Sequence, residues 1–240
     1  MNYKERIYSR YVSTHTSYLG EITIENIKKQ FPVWKFYYGK FLPKDKNAKI
    51  LDVGCGNGGF VYWLQQIGYK NSFGIDISKE QIILAKRLRI KNIKQADLFK
   101  FLRDKKESYD VIFARDILEH FKKDEILNIL ELFYNSLKQK GKVIIQVPNA
   151  EGPFGTHYLY SDFTHELAFT ERSLNQIFKS VGFKEICCYP TPPPNIGIIS
   201  RGRFLLWKLI ECLLKFYTLI ETGSSKGIFT RNIICVAIKK

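Results

Sequence analysis

The chain has 240 residues and 45% of them are hydrophobic, which is enough for one α/β domain with additions and a sizeable core. The formal net charge of +15 favours an anionic partner, such as nucleic acid, an anionic membrane face or an acidic substrate, although a lysine-rich genome would give the same excess. No apolar signal-peptide core follows the polar N-terminus, and the five cysteines lack metal-type spacing. We therefore expect a cytoplasmic protein with reduced, buried thiols.

The first segment, residues 1–48, precedes the predicted core and is expected to cap it. Tyrosines and basic residues alternate near the N-terminus, and a second aromatic-rich segment, 22–40, is interrupted at Pro32, where a helix must break. We expect one or two helices over the cleft of the following domain, with Arg10 and Tyr11 as candidates for contacting a ligand. Simple packing of an amphipathic cap is the alternative for the aromatic residues.

Residues 49–60, KILDVGCGNGGF, predict a strand, a glycine turn and the start of a helix. The apolar run ends at Asp52, and Gly68 ends the helix. Glycine allows positive φ and lets a ligand approach the main chain, while a helix N-terminus adds unpaired N–H groups and a partial positive charge. This combination predicts a nucleotide-binding site at the turn, and a tight turn that binds no ligand is the alternative.

The chain then alternates between strand and helix patterns. Asp76 closes the second strand, where an acid can accept both hydroxyls of a ribose. Ser78 with Gln81 predicts a capping box, and Asp124 is the expected cap of a later helix. The strands are predicted at 49–53, 72–75, 93–96, 111–115 and 142–147, and the helices at 59–67, 79–90 and 124–138. Such alternation favours a parallel sheet with helices on both faces.

The last third begins with an aromatic-rich irregular stretch, 148–169, which is long enough to suggest a functional loop. Thr170 is the expected cap of the next helix, and two strands are predicted at 183–189 and 232–239. Between these strands, the helical insertion 190–231 contains a mostly apolar segment, 204–220, that is too charged and slightly too short to span a membrane. It could wall a substrate pocket, form a homodimer contact or make a peripheral membrane contact.

Four motifs resemble those of class I S-adenosylmethionine-dependent methyltransferases. They are DVGCGNG at 52–58, GIDIS at 74–78, QADL at 95–98, and DVIFAR with ILEHF within 110–121. The resemblance covers roughly 49–189 and the last strand. It implies an N-terminal helical cap at 1–48 and a methyltransferase domain at 49–240, with a Rossmann-like, seven-stranded, mostly parallel sheet, helices on both faces and an antiparallel C-terminal hairpin. It also implies S-adenosylmethionine as the cofactor.

The resemblance assigns cofactor contacts to residues just after the strands, since open parallel sheets bind ligands beyond the strands' carboxyl ends. Asp76 would bind the ribose, Asp97 the adenine amino group, the N–H of Leu98 a ring nitrogen, and Ile77 the adenine face. Asp52 would lie near the cofactor's amino group, with Arg10 and Tyr11 over its carboxylate. The full set of expected cofactor residues is Arg10, Tyr11, Asp52, Gly54, Gly56, Asp76, Ile77, Asp97, Leu98 and Arg115.

Methyl transfer to an alcohol or phenol also requires removal of a proton, a task that suits histidine at neutral pH. His165 is the predicted base, oriented by Asp162 or Glu166, and His120 is the second candidate. Loop hydrogen bonding is the alternative role for each histidine. Asp162 and His165 with His157 could also hold a divalent ion, but their spacing matches no metal template and we predict no metal site.

The segment 164–174, THELAFTERSL, resembles methyltransferases of bacterial cell-surface polysaccharide and lipopolysaccharide synthesis. We therefore predict O-methylation of a sugar or glycan, either free or lipid-linked, at the inner face of the cell membrane. A small-molecule methyltransferase of the quinone-precursor type is the runner-up. An RNA methyltransferase would suit the net charge, but no Asn-Pro-Pro-Tyr-type motif follows strand four and no RNA-binding module is visible, so nucleic acid is not favoured. A cofactor-binding scaffold without catalysis is the remaining alternative.

Overall fold

The computed structural model describes residues 3–10, 12 and 21–240. Seven strands of this part of the chain form one sheet in the order β3-β2-β1-β4-β5-β7-β6. Strands β1 to β5 are parallel, and β7 runs antiparallel to both β5 and β6. The strands are β1 Ile50–Val53, β2 Ser72–Asp76, β3 Ile93–Gln95, β4 Tyr109–Arg115, β5 Leu137–Pro148, β6 Lys184–Pro190 and β7 Asn232–Ile238. The predicted sheet with its C-terminal hairpin is confirmed.

The helices surround this sheet. They are α1 Tyr3–Tyr8, α2 Ile24–Lys29, α3 Phe31–Tyr38, α4 Gly59–Gln66, α5 Lys79–Arg87, α6 Leu98–Leu102, α7 Lys123–Ser136, α8 Gly155–Leu159, α9 Glu171–Val181 and α10 Ile198–Thr222. Short 3-10 turns occupy Gly39–Phe41 and Leu118–His120. Pro32 stands in the first turn of α3, so the predicted break between α2 and α3 is confirmed.

Ser78 and Thr170 are confirmed as helix caps, but the capping box predicted for Ser78 with Gln81 is not closed, because the N–H of Ser78 donates to Oδ1 of Asp76. The hydroxyl of Ser78 accepts the N–H of Gln81, and that of Thr170 accepts the N–H of Ser173. The predicted Asp124 cap is wrong, because α7 starts one residue earlier, at Lys123. There the carboxylate of Glu125 accepts the N–H of Lys122 at 2.8 Å, so the acid at the third helical position satisfies the free amide.

Side chains of the central strands alternate between two cores, one on each face of the sheet. Leu51 and Val53 join the core formed with α6, α7 and α9. Ile50, Val111 and Phe113 join the second core, which α3 and α4 cover with aromatic side chains. Helices on both faces are therefore confirmed. The same alternation places even-numbered residues of β1 and odd-numbered residues of β4 on the α4 side.

Helix α10 is longer than the predicted segment 204–220 and contributes no buried residue. No helix in the described part of the chain combines the length and apolarity needed to cross a bilayer. The expectation of buried thiols is wrong for Cys187 on the edge strand β6 and Cys212 on α10, which are exposed, whereas Cys55 and Cys235 are buried.

Candidate active site

A cavity of about 690 Å³ opens at the carboxyl ends of β1, β2 and β4. Helix α1 and the residue after it supply part of its wall through Lys4, Tyr8 and Ser9. The sheet side of the wall comes from the turns that follow the strands, as expected for an open parallel sheet. Among the expected cofactor residues, the wall contains Gly54, Gly56, Asp76, Ile77, Asp97 and Leu98.

The glycine turn after β1 has a conformation that side chains rarely adopt. Gly54 has φ of 69° and Gly56 has φ of 54°. A Cβ added at Gly54 would lie 2.5 Å from Cδ1 of Ile117, so the space beside this glycine is already filled. The N–H of Gly56 points instead to the end of β2 and donates to Oδ2 of Asp76 at 2.8 Å. The turn thus exposes main chain to the cavity and ties β1 to β2.

Asp76 is held rigidly by two backbone donors. Its Oδ2 accepts from Gly56, and its Oδ1 accepts the N–H of Ser78 at 2.8 Å. Burial raises the pKa of Asp76 above its ordinary value, and the two N–H donors act in the opposite direction. Each carboxylate oxygen can accept a further hydrogen bond from the cavity. The side chain is therefore a preorganised acceptor for two neighbouring donors.

The far wall of the cavity comes from the ends of β2 and β3. Ile77 exposes 53% of its surface there. Oδ1 of Asp97 accepts the N–H of Lys100 at 3.0 Å and caps α6. Leu98 is the first residue of α6, so its N–H has no acceptor within the helix. The structure brings all three residues to one wall, and their assigned contacts with adenine stay predictions.

Asp52 and Arg115 do not line the cavity, because strand alternation turns both toward α4. They form a buried ion pair with 3.3 Å between Arg115 Nη2 and Asp52 Oδ2. The guanidinium carbon lies 3.8 Å from the ring centroid of Phe60. Burial raises the pKa of Asp52, and Arg115 acts in the opposite direction. The expectation that Arg115 faces the cleft is thereby corrected. The ion pair instead links β1 to β4 on the α4 side of the sheet.

Asp116 and Ile117 occupy the place that the sequence analysis gave to Arg115. Both line the cavity, and Asp116 has φ of 52°. Nε2 of Gln146 donates to both carboxylate oxygens of Asp116, at 3.0 and 2.9 Å, and Oε1 of Gln146 accepts from the hydroxyl of Tyr38 at 2.7 Å. Asp116 follows the last residue of β4, and its positive φ breaks the alternation of the strand, so the sequence pattern alone did not identify it.

Of the two remaining cofactor candidates, Arg10 follows α1, is exposed and is outside the cavity wall, and its N–H donates to the carbonyl of Ile7 at 3.0 Å. Tyr11 lies outside the described residues.

The described residues of the cavity wall carry four carboxylates, on Asp76, Asp97, Asp116 and Glu125, and two ammonium groups, on Lys4 and Lys79. The wall is therefore acidic although the chain as a whole is strongly basic.

Of the three histidines in the part of the chain that the structure describes, His120 lines the cavity. Its Nδ1 lies 2.9 Å from Oγ1 of Thr164, and that hydroxyl donates to Oδ1 of Asp162 at 2.6 Å. Since the threonine proton is used on Asp162, Nδ1 of His120 must be the donor, and Nε2 carries the lone pair of the neutral ring. Burial lowers the pKa of His120 to about 4, and the neighbouring His165 adds to this effect.

His165 is outside the cavity wall, with its ring centroid 4.7 Å from that of His120. Its Nδ1 lies 3.0 Å from the carbonyl oxygen of Tyr158, which can only accept. The two residues expected to orient His165 contact other groups. Asp162 accepts a hydrogen bond from Thr164, whose hydroxyl in turn contacts His120. Glu166 accepts a hydrogen bond from the hydroxyl of Tyr3 and lies 3.2 Å from the ammonium of Lys4. Which histidine acts as the base stays a prediction.

Glu119 is a site residue to which the sequence analysis gave no role. It is 1% exposed, and no described residue makes a hydrogen bond to either carboxylate oxygen. Burial raises the pKa of Glu119 well above its usual range, and the neighbouring Asp116 adds to this effect. Its carboxylate and one ligand atom each of His120 and His165 lie within 4.8 Å of one another. This group, which does not include the considered ligands Asp162 and His157, could hold a metal ion.

Comparison with known proteins identifies the family. A family model described as a methyltransferase domain matches residues 28–187. The chain belongs to the S-adenosylmethionine-dependent class I methyltransferases. A methyltransferase of this kind from Archaeoglobus fulgidus has the same fold, with a TM-score of 0.66, 20% identity and coverage of 90% of this chain and 97% of that one. The predicted family, fold and cofactor are confirmed.

Two curated relatives match part of this methyltransferase. Phosphoethanolamine N-methyltransferase 3 of Arabidopsis thaliana is 29% identical over 164 residues, which are 64% of this chain and 32% of the relative. The ubiquinone biosynthesis O-methyltransferase of Pelagibacter ubique is 34% identical over 112 residues, which are 43% of each chain. The methyltransferase therefore matches less than half the length of either relative.

A second solved structure has a similar fold. It is phosphoethanolamine N-methyltransferase 2 of Haemonchus contortus in complex with S-adenosyl-L-methionine, with a TM-score of 0.60 and 17% identity, and the match covers 97% of this chain and 60% of that one.

Proposed function

We propose that this methyltransferase moves a methyl group to a hydroxyl of a sugar or glycan acceptor. The observation that carries the proposal is a neutral, half-buried histidine, His120, in the wall of the cofactor cavity with its Nδ1 fixed by Thr164. A hydroxyl needs a proton acceptor at this place. The local resemblance of 164–174 to polysaccharide-associated enzymes supports the sugar, and the O-methyltransferase among the relatives supports the hydroxyl.

The cavity residues fit S-adenosylmethionine. The acidic wall suits a cationic ligand, and the turn after β1 lines the cavity with Gly54 and Gly56, which place no side chain between a ligand and the main chain. In this proposal Asp76 accepts the ribose hydroxyls, Asp97 and the N–H of Leu98 bind the adenine edge, and Ile77 covers its face. The bound cofactor supplies an electrophilic methyl group on a sulfonium centre.

The chain's own contribution is positioning and proton uptake. Holding two reactants in line can supply about 7–11 kcal/mol of the barrier reduction. Nε2 of His120 carries the lone pair of the neutral ring and would accept the hydroxyl proton, while Thr164 and Asp162 would stabilise the imidazolium that forms. A positioned base contributes about 10²- to 10⁴-fold in rate.

The test is a panel of acceptors assayed with radiolabelled S-adenosylmethionine: surface glycans and their sugar precursors, a catechol-type phenol, and phosphoethanolamine. We expect methylation of sugar hydroxyls, with His120→Gln reducing kcat by about 10²- to 10⁴-fold while leaving S-adenosylhomocysteine affinity unchanged. His157→Gln is the matched control, because His157 is exposed and outside the cavity wall. Exclusive methylation of the amine would refute the proposal.

A phenolic hydroxyl of a quinone precursor is the second candidate acceptor. The observation in its favour is the 34% identity over 112 residues to the ubiquinone biosynthesis O-methyltransferase of Pelagibacter ubique. The same base geometry serves a phenol, which loses its proton more readily than a sugar hydroxyl. In the acceptor panel, methylation of the catechol with no transfer to any sugar would favour this candidate over the glycan.

We further propose that α10 lies on an anionic membrane surface, where a lipid-linked acceptor would be carried. Large apolar residues recur along one face of this helix at helical spacing, and their exposures include 83% for Ile199, 65% for Leu209, 69% for Leu213 and 71% for Ile220. The opposite face, with Trp207 among its members, is the half-buried one. A stripe of this kind in water marks an interaction surface.

Charge supports a membrane as the occupant of this stripe. Glu211 of α10 is paired with Lys208 at 2.7 Å and with Lys215 at 3.2 Å, so its negative charge is neutralised. Arg201 and Arg203 add positive charge near the start of the helix, and the whole chain carries +15. An apolar stripe flanked by basic residues is the pattern of helices that lie in the interface of anionic membranes.

Vesicle co-sedimentation tests this placement. We expect the protein to bind vesicles containing phosphatidylglycerol more tightly than pure phosphatidylcholine vesicles, and to lose binding when Leu206 and Leu213 are both replaced by Glu. Leu127→Glu on α7 is the control, because Leu127 is also partly exposed, at 41%, but lies on another helix. Absence of vesicle binding, or a dimer in sedimentation velocity that the double substitution dissociates, would contradict the membrane proposal.

A further inference from the structure

The buried carboxylate of Glu119 needs a partner that the described residues do not provide. The side chain is 1% exposed, and neither oxygen has a hydrogen-bond donor among them. Burying an unpaired ionised carboxylate is very costly, so such a group is normally paired, protonated or bound to a metal. One ring nitrogen of His120 and one of His165 lie within 4.8 Å of one of its oxygens and of each other.

Both histidines are arranged as metal ligands usually are. Nδ1 of His120 is bonded to Thr164, and Nδ1 of His165 is bonded to the carbonyl of Tyr158. Metal-bound histidines usually donate their second ring N–H to such an oxygen, which fixes the tautomer and orients the ring. In both rings the other nitrogen, Nε2, then keeps its lone pair for an ion.

The backbone holds the three ligands together. Glu119 and His120 are consecutive in the 3-10 turn after β4, and the carbonyl of Glu119 accepts the N–H groups of Glu166 at 2.7 Å and Leu167 at 3.2 Å. These bonds fix the loop that carries His165 beside the turn. Metal–ligand bonds of about 2.0–2.2 Å require ligand atoms about 3–3.5 Å apart, so small side-chain rotations would close the group around an ion.

We propose that Glu119, His120 and His165 bind one divalent transition-metal ion, with Zn²⁺ the best match to two imidazoles and one carboxylate. Three protein ligands leave a coordination position open, as in catalytic zinc sites, and His120 already lines the cavity. A catalytic role for this ion rests on the proposed O-methylation. At the open position a hydroxyl of the acceptor would bind, and because the ion would lower the pKa of that hydroxyl its proton would pass to solvent water, while Nε2 of His120 would be a ligand instead of the base.

Metal binding is tested without activity. The protein, stripped with a chelator, is titrated with Zn²⁺ in a competition assay with a chromophoric chelator, and with Co²⁺ by visible absorption. We expect one ion per chain, with Glu119→Gln weakening Zn²⁺ binding by at least about 100-fold and His165→Gln doing the same. Glu166→Gln is the control, because it makes the same change beside His165 at a carboxylate outside the group. S-adenosylhomocysteine affinity and the unfolding midpoint verify that each variant is folded.

The outcomes separate this inference from the proposed function. Stoichiometric binding that depends on Glu119, together with chelator-sensitive methyl transfer, supports it. No saturable binding in the native protein, or equal binding by Glu119→Gln, overturns it. If the stripped protein methylates hydroxyls at full rate, the O-methylation proposal stands with His120 as a direct base, and the catalytic role of the ion fails whether or not Zn²⁺ binds. If Zn²⁺ binds as expected but no hydroxyl acceptor is methylated, the site survives and the proposed function fails.

Discussion

Replacing Gly54 by alanine is the sharpest local test of the glycine turn. Its φ of 69° places any L-residue in the left-handed region, which costs about 1–2 kcal/mol. The new Cβ would also lie 2.5 Å from Cδ1 of Ile117, and overpacking of this kind costs about 1–3 kcal/mol. We therefore expect Gly54→Ala to lower the free energy of unfolding by about 2–5 kcal/mol, measured by urea denaturation.

A double-mutant cycle separates the two contributions. Adding Ile117→Ala to Gly54→Ala removes the closest contact and leaves the backbone cost, so the pair should be less destabilised than the sum of the single changes. Gly202→Ala in α10 is the control, because nothing lies within 4 Å of its added Cβ and the position is helical; we expect a gain of about 0.5–1 kcal/mol. A loss below about 0.5 kcal/mol for Gly54→Ala would refute the reasoning.

Three further predictions concern charged groups. Arg115→Gln leaves the carboxylate of Asp52 buried and unpaired, so the free energy of unfolding should fall by about 3–5 kcal/mol in urea denaturation; recovery by a second change, Asp52→Asn, would verify the cause, and a neutral single change would contradict it. Asp76→Ala should weaken S-adenosylhomocysteine binding by about 10- to 100-fold in calorimetry, whereas the exposed control Asp104→Ala should bind normally. Hydrogen bonds from Tyr3 and Lys4 lower the pKa of Glu166. The ionised Glu166 side chain should therefore stabilise the folded protein by less than about 1 kcal/mol, as is typical of a solvent-accessible pair. This stabilisation should be fully present above the pKa of Glu166 in the unfolded chain, about 4.3, and should be lost as the pH falls through the lower pKa of Glu166 in the folded protein. A pH-independent difference in unfolding free energy between the native protein and Glu166→Gln would contradict this assignment.

The sequence predicted those parts of the fold that depend on local chemistry. The turn at Gly54 and Gly56 needs residues that tolerate positive φ, and an acid at the end of β2 can be identified from its spacing to that turn. The caps at Ser78 and Thr170 are equally local. Asp124 failed because a neighbouring acid, Glu125, satisfies the free amide at the start of α7 more directly.

The misassigned side chains have two physical causes: a strand face that was not used for Arg115, and packing between distant segments for the others. Arg115 turns toward Asp52 and Phe60 because of its strand face, a signal that the alternation of β4 contained. The link from Asp162 to His120 through Thr164 depends on how the loop 148–169 folds over β4. The same is true of Glu119, whose partner His165 comes from that loop. No spacing in the sequence connects these residues.

The account depends most on the cavity at the carboxyl ends of β1 to β4 as the cofactor site. Isothermal titration calorimetry of the purified chain with S-adenosylmethionine and S-adenosylhomocysteine tests this directly, with Asp76→Ala measured in parallel. The account predicts one saturable site per chain that the substitution weakens. Saturable binding of equal strength in both proteins, or no binding by the native chain, would contradict it.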